Sequence, residues 1–276
     1  MLKVKKLLKQ IGWLLGIIAG VAILTLLFTA IIQGSMEGIA RSYGRVLSEA
    51  ELYGISGTIG SGLAAIALWA IIRCTKQLRF YKCPNPADLK WTSAFILLIL
   101  GLCRIVLPGI WAYVSYALGV RASSVGNATG ESIWQMIVFG VILAPVLEEL
   151  LFRKDIFSLL KMRFSSAWTV GLSGILFAAI HGYSAEGFVS CLVAGIMLAI
   201  LMARTGKLLP CIIAHILCNL ESFYYNTTEG ANELIVNLNG HTTYNLSIFA
   251  AGLIVSAVCA LYVWPKKQPV PQSRIA

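Results

Sequence analysis

Glu148 and Glu149 stand side by side at the end of an apolar run, in Glu148-Glu149-Leu150-Leu151-Phe152-Arg153. A charged residue near the centre of a membrane helix costs about 2.5–3.5 kcal/mol on insertion scales, so an adjacent pair needs a compensating purpose. The chain has only 12 acidic residues, so two together in apolar surroundings is a selective placement. Neighbours on a helix point about 100° apart, and the two carboxylates therefore meet different surroundings. Glu149 and Arg153 are i,i+4 and can pair, which leaves Glu148 to face a cavity. The bland alternative is a helix that has reached the interface. Phe152, Ile156, Phe157, Leu159 and Leu160 argue against it by continuing the apolar pattern past the charges.

Two further pairs share the i,i+4 spacing: Phe177 with His181, and His215 with Asn219. Either alone would suit a hydrogen bond that only packs helices. Depth links them. If the helix carrying Glu148 turns near Arg163 to Ser166, Glu148 and His181 each lie ~16 residues from the turn, or ~24 Å at 1.5 Å per residue. The next turn falls near Thr205 to Lys207, which sets His215 and Asn219 ~13–20 Å from it. All three constellations can meet inside a bilayer, with the end of the fourth helix protruding near Lys161 and Arg163.

A carboxylate beside an imidazole can share the activation of one water. A second His and an Asn can donate to a developing oxyanion. Base, water and oxyanion hole are the parts needed to hydrolyse an amide. Ser184 follows His181 closely but has no evident base. Glu148, His181 and His215 are alternatively three ligands for Zn²⁺ with water in the fourth position, although no His-Glu-x-x-His pattern occurs. Spacing does not choose between the two schemes. Cys211, His215 and Cys218 share a helical face and suit a soft metal, or are small buried apolar residues, the commoner case.

The elements that position these residues are membrane spans. Of 276 residues, 58% are hydrophobic and 12% charged, against about 25% charged in soluble domains. The apolar residues come in blocks long enough to cross a bilayer as helices. An all-α polytopic membrane protein is expected, with eight spans near 11–32, 53–72, 92–117, 132–152, 167–183, 187–204, 208–225 and 246–264. Assigning loops alternately puts nearly all Lys and Arg on one side. Arg41, Arg45 and Arg121 fall on the other, and Arg104 within the third span. The positive-inside rule then sets both termini in the cytoplasm. It also accounts for the net charge of +10 without nucleic acid. The first span reads as an uncleaved anchor. The seven cysteines are odd in number and none lies in an outer loop, so no disulfide framework is expected.

Organisation follows. Residues 1–131 form an anchor and generic spans, 132–225 the core with the three motifs, and 226–276 an outer loop, a last span and a tail, all within one integral-membrane domain. The Asn-rich loop 226–245 is expected to be irregular. Pro145 is expected to kink the helix before Glu148. Arg104 snorkels, pairs with a buried acid, or meets a substrate carboxylate.

The ordered set Glu148-Glu149-x-x-x-Arg153, Phe177-x-x-x-His181 and His215-x-x-x-Asn219 resembles the CPBP family of CaaX proteases and bacteriocin-processing enzymes, also called Abi, over about 132–220. The resemblance implies an intramembrane endopeptidase with an eight-helix core. It implies that Glu148 and His181 activate water, that His215 and Asn219 bind the oxyanion, and that Glu149, Arg153 and Phe177 support them. It is compatible with a metal-free scheme, the first choice here, and with a Zn²⁺-dependent one. The implied partners are a membrane-embedded or membrane-associated peptide and the lipid bilayer. Compact loops suggest a bacterial cytoplasmic membrane, where prenylated substrates are not expected. Two other classes remain open: a non-proteolytic immunity or binding protein, and a proton-coupled small-solute transporter using the same carboxylates and histidines. Absence of repeat symmetry counts against the transporter.

Overall fold

The computed structural model describes residues 2–46, 49–74, 80–119, 136–181, 185–227, 235–238 and 241–263. These form helical rods α1 (Leu2–Ser42), α2 (Glu49–Cys74), α3 (Leu89–Ala117), α4 (Met136 to Lys161), α5 (Ser166–Ile180), α6 (Ala185–Thr205), α7 (Leu208–Thr227) and α8 (Leu246–Val263). A hairpin of β1 (Ile235–Leu238) and β2 (His241–Tyr244) precedes α8 and packs on the end of α3. Arg121 and Ser184 lie outside the described residues.

Among the described residues, four helical stretches are long and apolar enough to cross a membrane: Ala22–Ser42, Leu89–Ala117, Gly187–Thr205 and Leu246–Val263. Ser166–Ile180 and Leu208–Phe223 are shorter apolar helices. Large apolar side chains such as Leu26, Trp168, Ile254 and Leu261 point outward. Such a surface suits lipid and not water. The chain is an all-helical integral membrane protein but for the hairpin. That hairpin corrects the expectation of an irregular loop over 226–245. The missed signal is Asn239-Gly240, the favoured two-residue hairpin pair, between segments that register Ile235 with Tyr244 and Leu238 with His241.

α4 is the centre of the fold. It runs as four pieces, Met136–Leu143, Ala144–Glu149, Leu150–Ile156 and Phe157–Lys161, of which the first and third are wound as π-helix. The Phe157 amide bonds the Phe152 carbonyl, five residues back. α3 has a similar stretch, Gly101–Val106. Around Pro145 the change is one of winding: the π turns give way to α-helix at the residue that has no N–H to donate. Leu151 to Leu160 is buried almost throughout, in contacts with α2, α5, α6 and α7. α4 is therefore enclosed by its neighbours as far as Leu160, while Met162 and Arg163 beyond it are exposed.

Close crossings hold the rods together. A Cβ on Gly174 of α5 would lie 2.9 Å from the Ile196 backbone nitrogen of α6, and one on Gly195 3.1 Å from Gly174 Cα. Small residues at crossings let helix backbones approach. α3 and α8 meet the same way at Gly101, Gly109 and Gly252. The α6–α7 turn needs Gly206, with φ +63° and Cys83 against it. Segment 80–88 is stitched to that turn. The Tyr81 hydroxyl donates to the Ala203 carbonyl at 2.8 Å and the Ala87 amide to the Arg204 carbonyl at 2.8 Å. One core cluster joins α3, α4, α6 and α7 around Ile99, Phe157, Leu198 and Ala214. A second joins α4 and α5 around Phe152, Leu160 and Phe177.

Candidate active site

The antiparallel pair α4–α5 brings Glu148 level with His181, as the count from the turn predicts. His181 Nε2 lies 3.4 Å from Glu148 Oε2. α5 ends at Ile180, so His181 caps the helix and is not inside it. Its backbone N–H bonds the Ala178 carbonyl, and its Nδ1 lies 2.8 Å from the Phe177 carbonyl. A carbonyl only accepts, so Nδ1 carries the proton and a neutral ring has Nε2 as an acceptor. The helix end thereby fixes the tautomer.

His215 comes from α7. Its Nδ1 lies 3.0 Å from Glu149 Oε1 and its Nε2 3.8 Å from Glu148 Oε2. The other Glu149 oxygen lies 3.2 Å from Arg153 Nε. Glu149 and Arg153 are both 0% exposed. Arg153 NH2 also donates to the Gly195 carbonyl at 3.3 Å, and its guanidinium lies 4.5 Å from the Phe177 ring centroid. Phe177 ties the group together, with ring centroids 4.5 Å from His181 and 5.6 Å from His215. The two glutamates thus divide as their 100° offset requires. Glu149 sits behind, neutralised by Arg153, and Glu148 turns toward both imidazole Nε2 atoms.

A cavity of ≈ 160 Å³ opens in front of the histidines. Its wall includes Cys103, Arg104, Phe177, His181, Cys191, Leu198, His215, Cys218 and Asn219. Glu148 stands behind this wall. The Asn219 amide donates one N–H to the Gly140 carbonyl at 3.0 Å, which leaves its second N–H. Every residue singled out in the three motifs therefore lies in one neighbourhood, with Asn219 toward its edge.

The donor set of Glu148, His181 and His215 suits zinc chemically. Zinc bonds to nitrogen and carboxylate oxygen are about 2.0–2.2 Å, and among the described residues no group of three His, Cys, Asp or Glu has an arrangement that would hold a metal ion. Cys211 does not turn to His215. Its thiol is buried against the Leu198 and Lys207 carbonyls, and Cys218 belongs to the apolar core. All seven cysteines are free thiols.

Arg104 pairs with an acid, one of the readings its sequence left open, although the sequence reading did not name the partner. Its guanidinium bonds the Glu221 carboxylate and the Ser222 hydroxyl of α7. The signal was present: Glu221 is the only acidic residue of α7, and Arg104 is the interruption of an apolar span.

A carboxylate and two imidazoles converge beside a cavity among apolar helices, an arrangement with the groups that hydrolysis of an amide would use. The family comparison makes this specific: residues 130–220 match the model of the type II CAAX prenyl endopeptidases, Rce1-like. Over that segment, a third of the chain, the protein is similar to the CAAX-type prenyl endopeptidases. No curated protein and no solved structure matches the chain.

Proposed function

We propose that the chain is a metal-free endopeptidase that hydrolyses a peptide bond of a membrane-embedded or membrane-associated peptide. One observation carries this reading: the approach of Glu148 Oε2 to the Nε2 atoms of both His181 and His215, at 3.4 and 3.8 Å. A water between Glu148 and His181 gives one proton to the carboxylate and directs the other to Nε2. Its oxygen adds to the scissile carbonyl carbon. The oxyanion then accepts from Asn219 and from a ring N–H of His215, whose orientation Glu149 holds. Glu148 returns the proton to the departing amide nitrogen as the C–N bond breaks. Arg153 and Phe177 hold these groups in register and touch no reacting atom.

The eight rods correspond to eight spans in this reading, with both termini in the cytoplasm of a bacterial cell. Residues 1–131 and 226–276 flank the core 132–225 within one membrane domain.

The test is cleavage of a membrane-peptide library by purified protein, comparing wild type, Glu148→Ala and chelator-treated samples. Loss of cleavage in the mutant alone is the expected result. Loss in both, with recovery on adding Zn²⁺, would replace the scheme with a zinc-dependent one. A phenotype that survives Glu148→Ala would mark an immunity or binding protein. Solute flux without a cleaved product would mark a transporter.

A further inference from the structure

Among the described residues of the cavity wall, Arg104 is the one permanently charged side chain. It shares that wall with His181, His215 and Asn219. Glu221, which holds the guanidinium from the α7 side, is not among the described residues of the wall. The cavity therefore sees the cationic member of the pair, 27% of whose side chain stays exposed. The surroundings are Cys103, Ala194, Leu198 and Cys218, where an anion would gain more from a guanidinium than in water. Its position is fixed from two sides. The side chain rises from the π-wound stretch Gly101–Val106 and is pinned by Glu221 and Ser222.

His215, Asn219 and Ser222 fall at i, i+4 and i+7, one stripe of α7. The midpoint of His215 and Asn219 is five residues from Ser222, or about 7.5 Å along the axis. That is roughly two residues of extended peptide at about 3.3 Å each. We propose that Arg104 determines specificity by binding a carboxylate of the substrate about two residues from the scissile carbonyl. This rests on the protease reading. The carboxylate comes from a chain terminus or from an Asp or Glu side chain, and the guanidinium fork serves either.

The test is binding to purified Glu148→Gln protein, which keeps the site without turnover. Three probes share one hydrophobic sequence: a free C-terminal carboxylate, a C-terminal amide, and the amide carrying a Glu near its end. At least one acidic probe binds tenfold or more tighter than the neutral amide, and which one identifies the source of the carboxylate. Adding Arg104→Gln erases the preference, and Arg104→Lys, which keeps charge without the fork, weakens it at least threefold. Melting curves report whether each variant is folded. Equal binding of all three probes in the presence of Arg104 overturns the proposal, as does a preference that survives Arg104→Gln. Cleavage of the same probes by the wild type is scored separately. Its absence alongside an intact binding preference overturns the protease reading and leaves the Arg104 site standing.

Discussion

At the scale of single residues, the site depends on a charge that touches no substrate. Arg153 is fully buried against Glu149, the Gly195 carbonyl and Phe177. Removing one member of a buried ion pair leaves the other uncompensated, at a cost of about 3–5 kcal/mol. Arg153→Met is expected to lose that much stability and all cleavage, read as a lowered melting temperature and an empty product assay. Arg153→Lys restores the charge but not the fork that spans Glu149 and Gly195. It should recover most of the melting temperature but not the activity, because Glu149 also orients His215. A Lys variant with wild-type cleavage would show that the pair serves stability alone. The three motifs were legible because i,i+4 spacing puts their members on one helix face. That Glu149 would serve two partners was not legible, since His215 arrives from 66 residues away and no local pattern records the approach.

At the scale of elements, the α5–α6 crossing sets how near His181 and the Gly195 carbonyl come to α4. Gly174 has no room for a side chain there: its Cβ would meet backbone 2.9 Å away, while a Cβ on Gly171 would meet nothing within 4 Å. Gly174→Ala is expected to part the helices by a few tenths of an ångström and lower kcat by about tenfold or more, since misplacement of about 1 Å can cost a hundredfold. Gly171→Ala on the same helix should leave rate and melting temperature unchanged. Equal behaviour of the two variants would mean that the crossing does not position the site. Which glycine meets backbone was not legible in the sequence. The π-wound turns of α4 were also hidden. They depend on which carbonyl each amide finds once α2, α5 and α7 have closed around the helix, and hydrophobic period does not encode that choice.

At the scale of the whole molecule, hydrophobic runs of bilayer length led to eight expected spans; each overlaps a helical rod, and four stretches among the described residues are long and apolar enough to cross a membrane. Their ends agree less well, because the helices run past the apolar stretches. α1 extends to Ser42, about ten residues beyond its expected edge, and carries Glu37 and Arg41 paired at 3.3 Å. Orientation rests on charge alone and makes a direct prediction. With the native cysteines replaced, single thiols introduced at Tyr43 and Met162 are both solvent-accessible, since these positions are exposed. The proposed topology places Tyr43, between α1 and α2, outside the cell, and Met162, between α4 and α5, inside. A membrane-impermeant thiol reagent should label position 43 in intact cells and position 162 only after permeabilisation. The inverse pattern would turn the molecule over. Labelling of both in intact cells would require an even number of crossings between them, so that one of α2, α3 or α4 fails to cross. Three crossings must instead leave the two positions on opposite faces, so the two labels together test the α2–α4 count as well as the orientation.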